Sequence, residues 1–313
     1  HQIEMQNTSN ILMIEPILFG FNEETAKNNY FQKNDNTAVT QIQAQARAEF
    51  LDMVRLLREN AIKVITVRDT ASPHTPDSIF PNNWVSFHSC GRVVLYPMFA
   101  ENRRLERRPE ILQHIEDEGF AITEKIDLTG YEHEGEFLEG TGSMILDRDN
   151  RIAYACLSER THPHLFELFC RELEYTPVAF RAFQSVDGKR LPIYHTNVMM
   201  CIADLYAIVC LDTIDDSQER RQVRESIVGS GKTIIEISEQ QMHNFAGNML
   251  QVENEIGMKF LVMSDTAYRS LLPQQIEQIE KTDTILHPSI PTIERYGGGS
   301  ARCMMAEIFL PRK

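Results

Sequence analysis

The sequence has no uninterrupted apolar run approaching the roughly 18 residues of a membrane-spanning helix. Its first ten residues, HQIEMQNTSN, contain no apolar signal-peptide region. A basic surface is also missing. Lys and Arg total 31 against 45 Asp and Glu, a formal net charge of -14, which excludes the concentrated positive field of a nucleic-acid surface. None of the six cysteines forms a CxxC pair, and a chain of 313 residues needs no disulfide staples. What is present, 42% apolar and 24% charged residues, is the composition of a soluble globular protein that buries a core. These features predict a cytoplasmic protein. Its expected partner is a small molecule, with a homodimer as the assembly to test, rather than a membrane or a nucleic acid. Residues 1–10, which lack an initiator Met, are expected to be disordered or processed, and 11–313 to form one domain.

A supersecondary unit recurs along the chain: apolar strand, polar turn, apolar strand, polar-faced helix, short strand. One copy runs from WVSFH through VVLYPM, a helix near 104–118 and AITEKI. The next runs from SMILD through RIAYACL, a helix near 163–174 and PVAFRAF. A third has VMMCIA, AIVCLDTI, a helix near 217–228 and TIIEIS, and a fourth MLQVE, KFLVMS, a helix near 266–281 and TILHP. The fifth is split across the termini: CMMAEIFL at the end is completed by ILMIEP, a helix near 40–60 and VITVRD at the start. The units begin at Asn83, Gly142, Asn197, Asn248 and Cys303, about 50 to 60 residues apart. A fixed period with shared termini predicts a closed ring. The fold class is therefore α/β: a five-bladed, pseudo-symmetric propeller of ββαβ units, with the five leading turns around one cavity.

Polar residues at those turns form the candidate site. Asp77, Asn82 and Asn83 lie in PDSIFPNNW, Glu139 in FLEGTG, His195 and Asn197 in YHTNV, and Cys303 in YGGGSARC. A thiol, an imidazole and a carboxylate from three units are the minimum for covalent catalysis. His195 and Asn197, two apart on an expected strand, would face the same way. Three glycines at 297–299 permit close backbone approach to a ligand. Taken singly, a cysteine at a strand start or a lone histidine is a packing residue, and it is the joint placement that argues for a site. The other five cysteines sit in apolar runs, where a buried, inert thiol is the usual state. SIVGSGKT has Ser226 where a phosphate loop needs glycine and lies between helix and strand. HPH at 162–164 lacks a third metal ligand, and NRRLERRPE reads as a solvated helix face.

The ordered motifs DxxFxxN, EG-G, HxN and GGG-C resemble the pentein superfamily of guanidine-modifying enzymes, over nearly all of 11–311. That resemblance implies the five-bladed fold, Cys303 as nucleophile, His195 as general acid/base and Glu139 as the orienting carboxylate. It implies substrate contacts from Asp77, Asn83 and Asn197, with Arg103 and Arg160 binding a substrate carboxylate, and no metal or organic cofactor. Arginine deiminases of the family carry aspartates where Asn83 and Asn197 stand. Asparagine keeps the shape, removes the charge and adds N–H donors, which suits a neutral ureido group. The sequence resembles the citrulline-using branch, which shares FPNNW, so the expected reaction is citrulline to ornithine, ammonia and carbon dioxide through a thio-intermediate. An arginine or arginine-derivative deiminase, dihydrolase or amidinotransferase is the alternative. A non-catalytic pentein acting on ribosomes would lack the Cys–His–Glu set, which is present.

Overall fold

Each unit forms a three-stranded sheet with one strand order. The computed structural model describes residues 4–313. Strands β1 (Asn10–Glu15) and β2 (Lys63–Arg68) belong to the unit split across the termini, and β3 (Val85–Phe87), β4 (Arg92–Leu95) and β5 (Glu124–Asp127) to the next. Then come β6 (Ile145–Asp147), β7 (Ile152–Cys156) and β8 (Thr176–Phe180), followed by a separate hairpin, β9 (Phe183–Val186) and β10 (Lys189–Pro192). The fourth unit has β11 (Met200–Ile202), β12 (Tyr206–Val209) and β13 (Thr233–Glu236), and the fifth β14 (Leu250–Glu253), β15 (Lys259–Val262) and β16 (Thr284–Leu286). At the C-terminal end β17 (Ala306–Glu307) completes the first sheet beside β1.

In each three-stranded sheet the middle strand runs antiparallel to the inner strand and parallel to the outer one. The middle strands carry short apolar stretches such as ILMIE, IAYAC and YAIV, which suit burial on both faces. The parallel return needs a crossover. Helices Val39–Glu59, Pro109–Asp117, Pro163–Leu173, Ser217–Gly229 and Pro273–Glu280 provide it. Pro109, Pro163 and Pro273 open their helices at the position where a missing N–H costs nothing. Asp216 caps the fourth by accepting from Gln218 N and Glu219 N at 2.9 Å each.

Some expectations shift. The helix expected over 266–281 breaks into Asp265–Ser270 and Pro273–Glu280, because Pro273 lacks the N–H a continuous helix would use. The helix expected over 104–118 starts only at Pro109, behind a separate turn at Glu101–Arg104. The β9–β10 hairpin was not anticipated, although its Asp187–Gly188 turn, with φ of 49° and 76°, is a strong hairpin signal. The sheets remain five separate three-stranded units. Inner strand β11 neighbours β6 and β14, and β17 neighbours β3, but among the described residues no hydrogen-bonded barrel closes through them.

Of the stretch 1–10, residues 1–3 lie outside the described ones. Glu4 pairs with the buried Arg148 at 3.3 Å, and Gln6 donates to Leu146 O at 3.0 Å, so the chain is packed before β1 begins. Among the described residues no helix is long and apolar enough to cross a membrane.

Candidate active site

The chain enters the inner strands through short helical turns at Pro81–Asn83, Gly140–Ser143, Thr196–Val198 and Ala301–Met304, and through a turn ending at Asn248. The first of these turns packs against the second and the last, and the second against the third. Gly142 makes this approach feasible. A Cβ there would sit 2.4 Å from Asn83 Nδ2 and 2.9 Å from His195 Nδ1, closer than atoms allow. His195 and Asn197 do not lie on a strand as expected: His195 is extended, and Asn197 lies within the turn that follows it. The turn, not strand alternation, brings both to the site.

Cys303 is 4% exposed. Its Sγ accepts hydrogen bonds from Asn197 Nδ2 and Asn248 Nδ2, both at 3.2 Å. His195 Nε2 lies 2.7 Å from Glu139 Oε1, while Glu139 Oε2 accepts from Phe99 N at 2.9 Å. Burial opposes the Glu139 charge, but Arg160 at 3.4 Å and the His195 hydrogen bond outweigh it and hold the carboxyl at about 2. Burial dominates at His195 and pushes it down to about 4 despite Glu139. The pair is therefore carboxylate and neutral imidazole. The ionised Glu139 only accepts, so Nε2 carries the hydrogen and Nδ1 holds the free lone pair. Nδ1 makes no hydrogen bond among the described residues and faces Gly142.

Around this pair the substrate-contact candidates divide. Asp77 is buried, with Oδ2 accepting from Asn22 Nδ2 at 2.9 Å and Thr25 Oγ1 at 3.2 Å. Its Oδ1 has no partner among the described residues, and neither has Asn197 Oδ1. Burial, tempered by Arg103, raises the Asp77 carboxyl. Asn83 is engaged at both ends: its Nδ2 donates one N–H to Asn82 Oδ1 at 3.0 Å and its Oδ1 accepts from Arg103 Nη1 at 2.8 Å. Buried Arg103 also bonds Glu106 through Nε at 2.9 Å and Phe80 O through Nη2 at 3.0 Å. Arg160 bonds Asn28 Oδ1 at 2.8 Å, Thr25 O at 2.9 Å and Glu139, and stacks 4.8 Å from the Tyr194 ring. The expected task of Arg103 and Arg160, holding a substrate carboxylate, thus meets guanidinium groups already engaged within the protein. Of the two N–H groups of Asn83, one is given to Asn82.

Several neighbours went unassigned by sequence. Asn22, Thr25 and Asn28 come from an irregular polar segment whose side chains reach Asp77 and Arg160. Tyr194 donates to Gly298 O at 3.0 Å, with its ring 4.7 Å from that of His195. Gly298 takes φ of 68°, which glycine adopts without strain. Asn248 marked the start of a unit, and its equivalence to Asn83 and Asn197 was the available signal. A cavity of about 450 Å³ bordered by Lys27, Asn28, Ser158, Arg181, Phe183 and Tyr194 opens beside the site.

Elsewhere, buried Cys156, Cys201 and Cys210 are pushed up to about 12 by loss of solvent, as inert thiols should be. Cys90 departs from the expectation and is exposed in the turn between β3 and β4. His162 Nδ1 accepts from Phe137 N at 3.0 Å and His164 meets Glu136 at 2.9 Å, both local contacts. Lys232 of SIVGSGKT is buried against Asp147 at 3.4 Å.

Known proteins with this arrangement of sheets include two groups. The N-terminal domain of ArgZ, an arginine dihydrolase from the ornithine-ammonia cycle in cyanobacteria, superposes in its substrate-bound form with a TM-score of 0.69 at 20% identity, covering 96% of this chain and 99% of that one. AgrE, in a ternary complex with ornithine and NAD+, gives 0.71 at 19% identity over 97% of this chain. The chain spans only 40% of full-length ArgZ and of AgrE. DDAH from Pseudomonas aeruginosa, a cysteine-to-serine variant with citrulline, gives 0.65 at 16% identity, covering 96% and 99%. Sequence comparison with curated proteins returns no match. The family model for N,N dimethylarginine dimethylhydrolase, eukaryotic, matches residues 15–310, so the chain belongs to that family, within the pentein superfamily of guanidine-modifying enzymes.

Proposed function

We propose that the protein hydrolyses a C–N bond of a guanidino amino acid through a covalent intermediate on Cys303, and carries the resulting ureido compound on to the amine. The observation that carries this reading is a sulfur held by two amide donors in a buried site with a neutral imidazole whose far nitrogen is fixed on an ionised carboxylate. That is the nucleophile, shuttle and orienting acid of covalent catalysis. His195 Nδ1 takes the thiol proton. The thiolate adds to the guanidinium carbon, and His195 returns the proton to the departing nitrogen, which leaves as ammonia or an alkylamine. His195 then deprotonates a water that attacks the thiouronium carbon, and collapse releases Cys303 and the ureido product. A second round on the ureido carbon yields the primary amine, ammonia and carbon dioxide.

The unsatisfied polar atoms favour the guanidino substrate over citrulline as first reactant. Asp77 Oδ1 and Asn197 Oδ1 are buried acceptors without partners among the described residues, whereas Asn248 Nδ2 donates both its N–H groups and Asn83 and Asn197 each donate one. A guanidinium offers only donors, and a ureido carbonyl asks for one. Arginine hydrolysis by ArgZ, a protein of the same fold, agrees with this choice. Citrulline as the sole substrate is the second reading, favoured by the uncharged Asn83 and Asn197. In either case Arg103 orients Asn83 and Arg160 keeps Glu139 ionised, the five units close into a propeller around the site, and 11–313 act as one domain. The test is product analysis on arginine, citrulline, agmatine and dimethylarginine, with Cys303→Ser alongside. Ornithine from both arginine and citrulline is expected. Ornithine from citrulline with no turnover of any guanidine selects the second reading, and full turnover by Cys303→Ser overturns both.

A further inference from the structure

Asn248 is the second donor to the sulfur, and its amide is oriented by backbone groups on both sides. Its Oδ1 accepts from Arg302 N at 3.1 Å, and its Nδ2 donates to Asn197 O at 3.1 Å as well as to Cys303 Sγ at 3.2 Å. Turning this amide over would set N–H against N–H and oxygen against oxygen, so the donor is committed to the sulfur. Asn197 differs. Its Nδ2 also meets Sγ, but its buried Oδ1 has no partner among the described residues, and turning it over gives up only the contact to sulfur. Sγ itself only accepts here. Its two hydrogen-bond partners are both N–H donors.

We infer that Asn248 is the fixed hydrogen-bond donor that favours and aims the Cys303 thiolate, leaving Asn197 free to present its amide to the substrate. This rests on Cys303 being the nucleophile. The Arg302 side chain holds the same turn from below, donating to Met305 O at 2.8 Å and Glu307 Oε1 at 2.6 Å, so the backbone N–H that orients Asn248 is itself anchored.

The test measures alkylation of Cys303 by iodoacetamide in the full chain as a function of pH, followed by peptide mass spectrometry so that exposed Cys90 does not count. Alkylation needs no turnover, so it reads Asn248 even if the reaction assigned to the site is wrong. Failure of that assignment would appear separately, as turnover surviving in Cys303→Ser. Asn248→Ala is expected to slow alkylation at pH 7 about tenfold while leaving the rate at the alkaline plateau unchanged, and to lower kcat far more than it raises KM. Asn197→Ala is expected to raise KM more than it slows alkylation. Asn248→Asp gives a comparison that does not depend on the alanine variant folding. It keeps the oxygen facing Arg302 N and puts an anionic oxygen against the sulfur, so it should be alkylated more slowly than Asn248→Ala. A packing role predicts the reverse order, since aspartate nearly conserves the shape. Aspartate milder than alanine, or an unchanged pH profile in a folded Asn248 variant, overturns the inference.

Discussion

His88 and His195 stand at opposite ends of inner strands, His88 just after β3 and His195 shortly before β11. Both are buried, and loss of solvent pushes both down, His88 to about 3 and His195 to about 4. Their partners differ. His88 spends both ring nitrogens, Nε2 on Ser86 Oγ at 2.7 Å and Nδ1 toward Arg148 at 3.5 Å. His195 spends one, on an ionised carboxylate, and keeps the other free beside Gly142. The same contrast extends to the neighbours. At the His88 end Arg148 is paired with Glu4 and Glu307, and Lys232 with Asp147. At the His195 end Asp77 and Asn197 keep buried oxygens with no partner among the described residues, where the His88 end has such an oxygen on Asn7. Burial alone makes a neutral histidine, and chemistry begins where the surrounding hydrogen bonds are left incomplete.

The contrast breaks first if the two histidines prove interchangeable. His195→Gln should lower kcat about 10³-fold with little change in melting temperature, and His88→Gln should leave kcat unchanged. Steady-state kinetics on the substrate found by product analysis decides this. Next in size is Arg148→Ala, which removes the buried cation between Glu4 and Glu307 and leaves them only Arg151 and Arg302 as charged partners. It should cost about 3 kcal/mol of stability in urea unfolding, with activity per folded molecule retained.

Acid stability sharpens the comparison further. For each histidine the folded value lies below the unfolded one of about 6.5, so the unfolded chain takes up its proton first. The stabilisation is whole above about 6.5 and is lost as pH falls through about 4 for His195 and about 3 for His88. Glu139, also depressed, adds a loss between its unfolded value and about 2. Urea midpoints should therefore fall between pH 6.5 and 3, and His88→Gln should flatten that fall while leaving the pH dependence of kcat as it was. An equally steep fall in the variant would remove His88 from the account.

The unit repeat, the split first sheet and the Cys303, His195 and Glu139 set were legible because each is marked locally, by periodicity or by residue type at an equivalent turn. The engagement of Arg103 was not, since NRRLERRPE reads the same whether its first arginine faces water or turns inward to Glu106 and Asn83. Nor was the segment holding Asn22, Thr25 and Asn28. It has no periodicity, and its side chains meet residues 52 to 132 positions away, such as Asp77 Oδ2 and Arg160 Nε. Asn248 lay between these cases. Its position in the repeat was plain, but the sulfur contact depends on how the last turn folds over it.

The smallest expected effect tests the unpartnered oxygens themselves. Asp77→Asn preserves the acceptor toward Asn22 and Thr25 and removes one buried charge whose carboxyl burial already raises. Stability should therefore change by less than about 1 kcal/mol. If Asp77 Oδ1 waits for a cationic guanidinium, KM for arginine should rise about tenfold, the difference between a charge-assisted and a neutral hydrogen bond. KM for citrulline, which brings no charge, should move much less. Equal changes in both would mean that Asp77 only braces the Asn22 and Thr25 side chains, and the incomplete hydrogen bonding at this end would then mark packing rather than substrate.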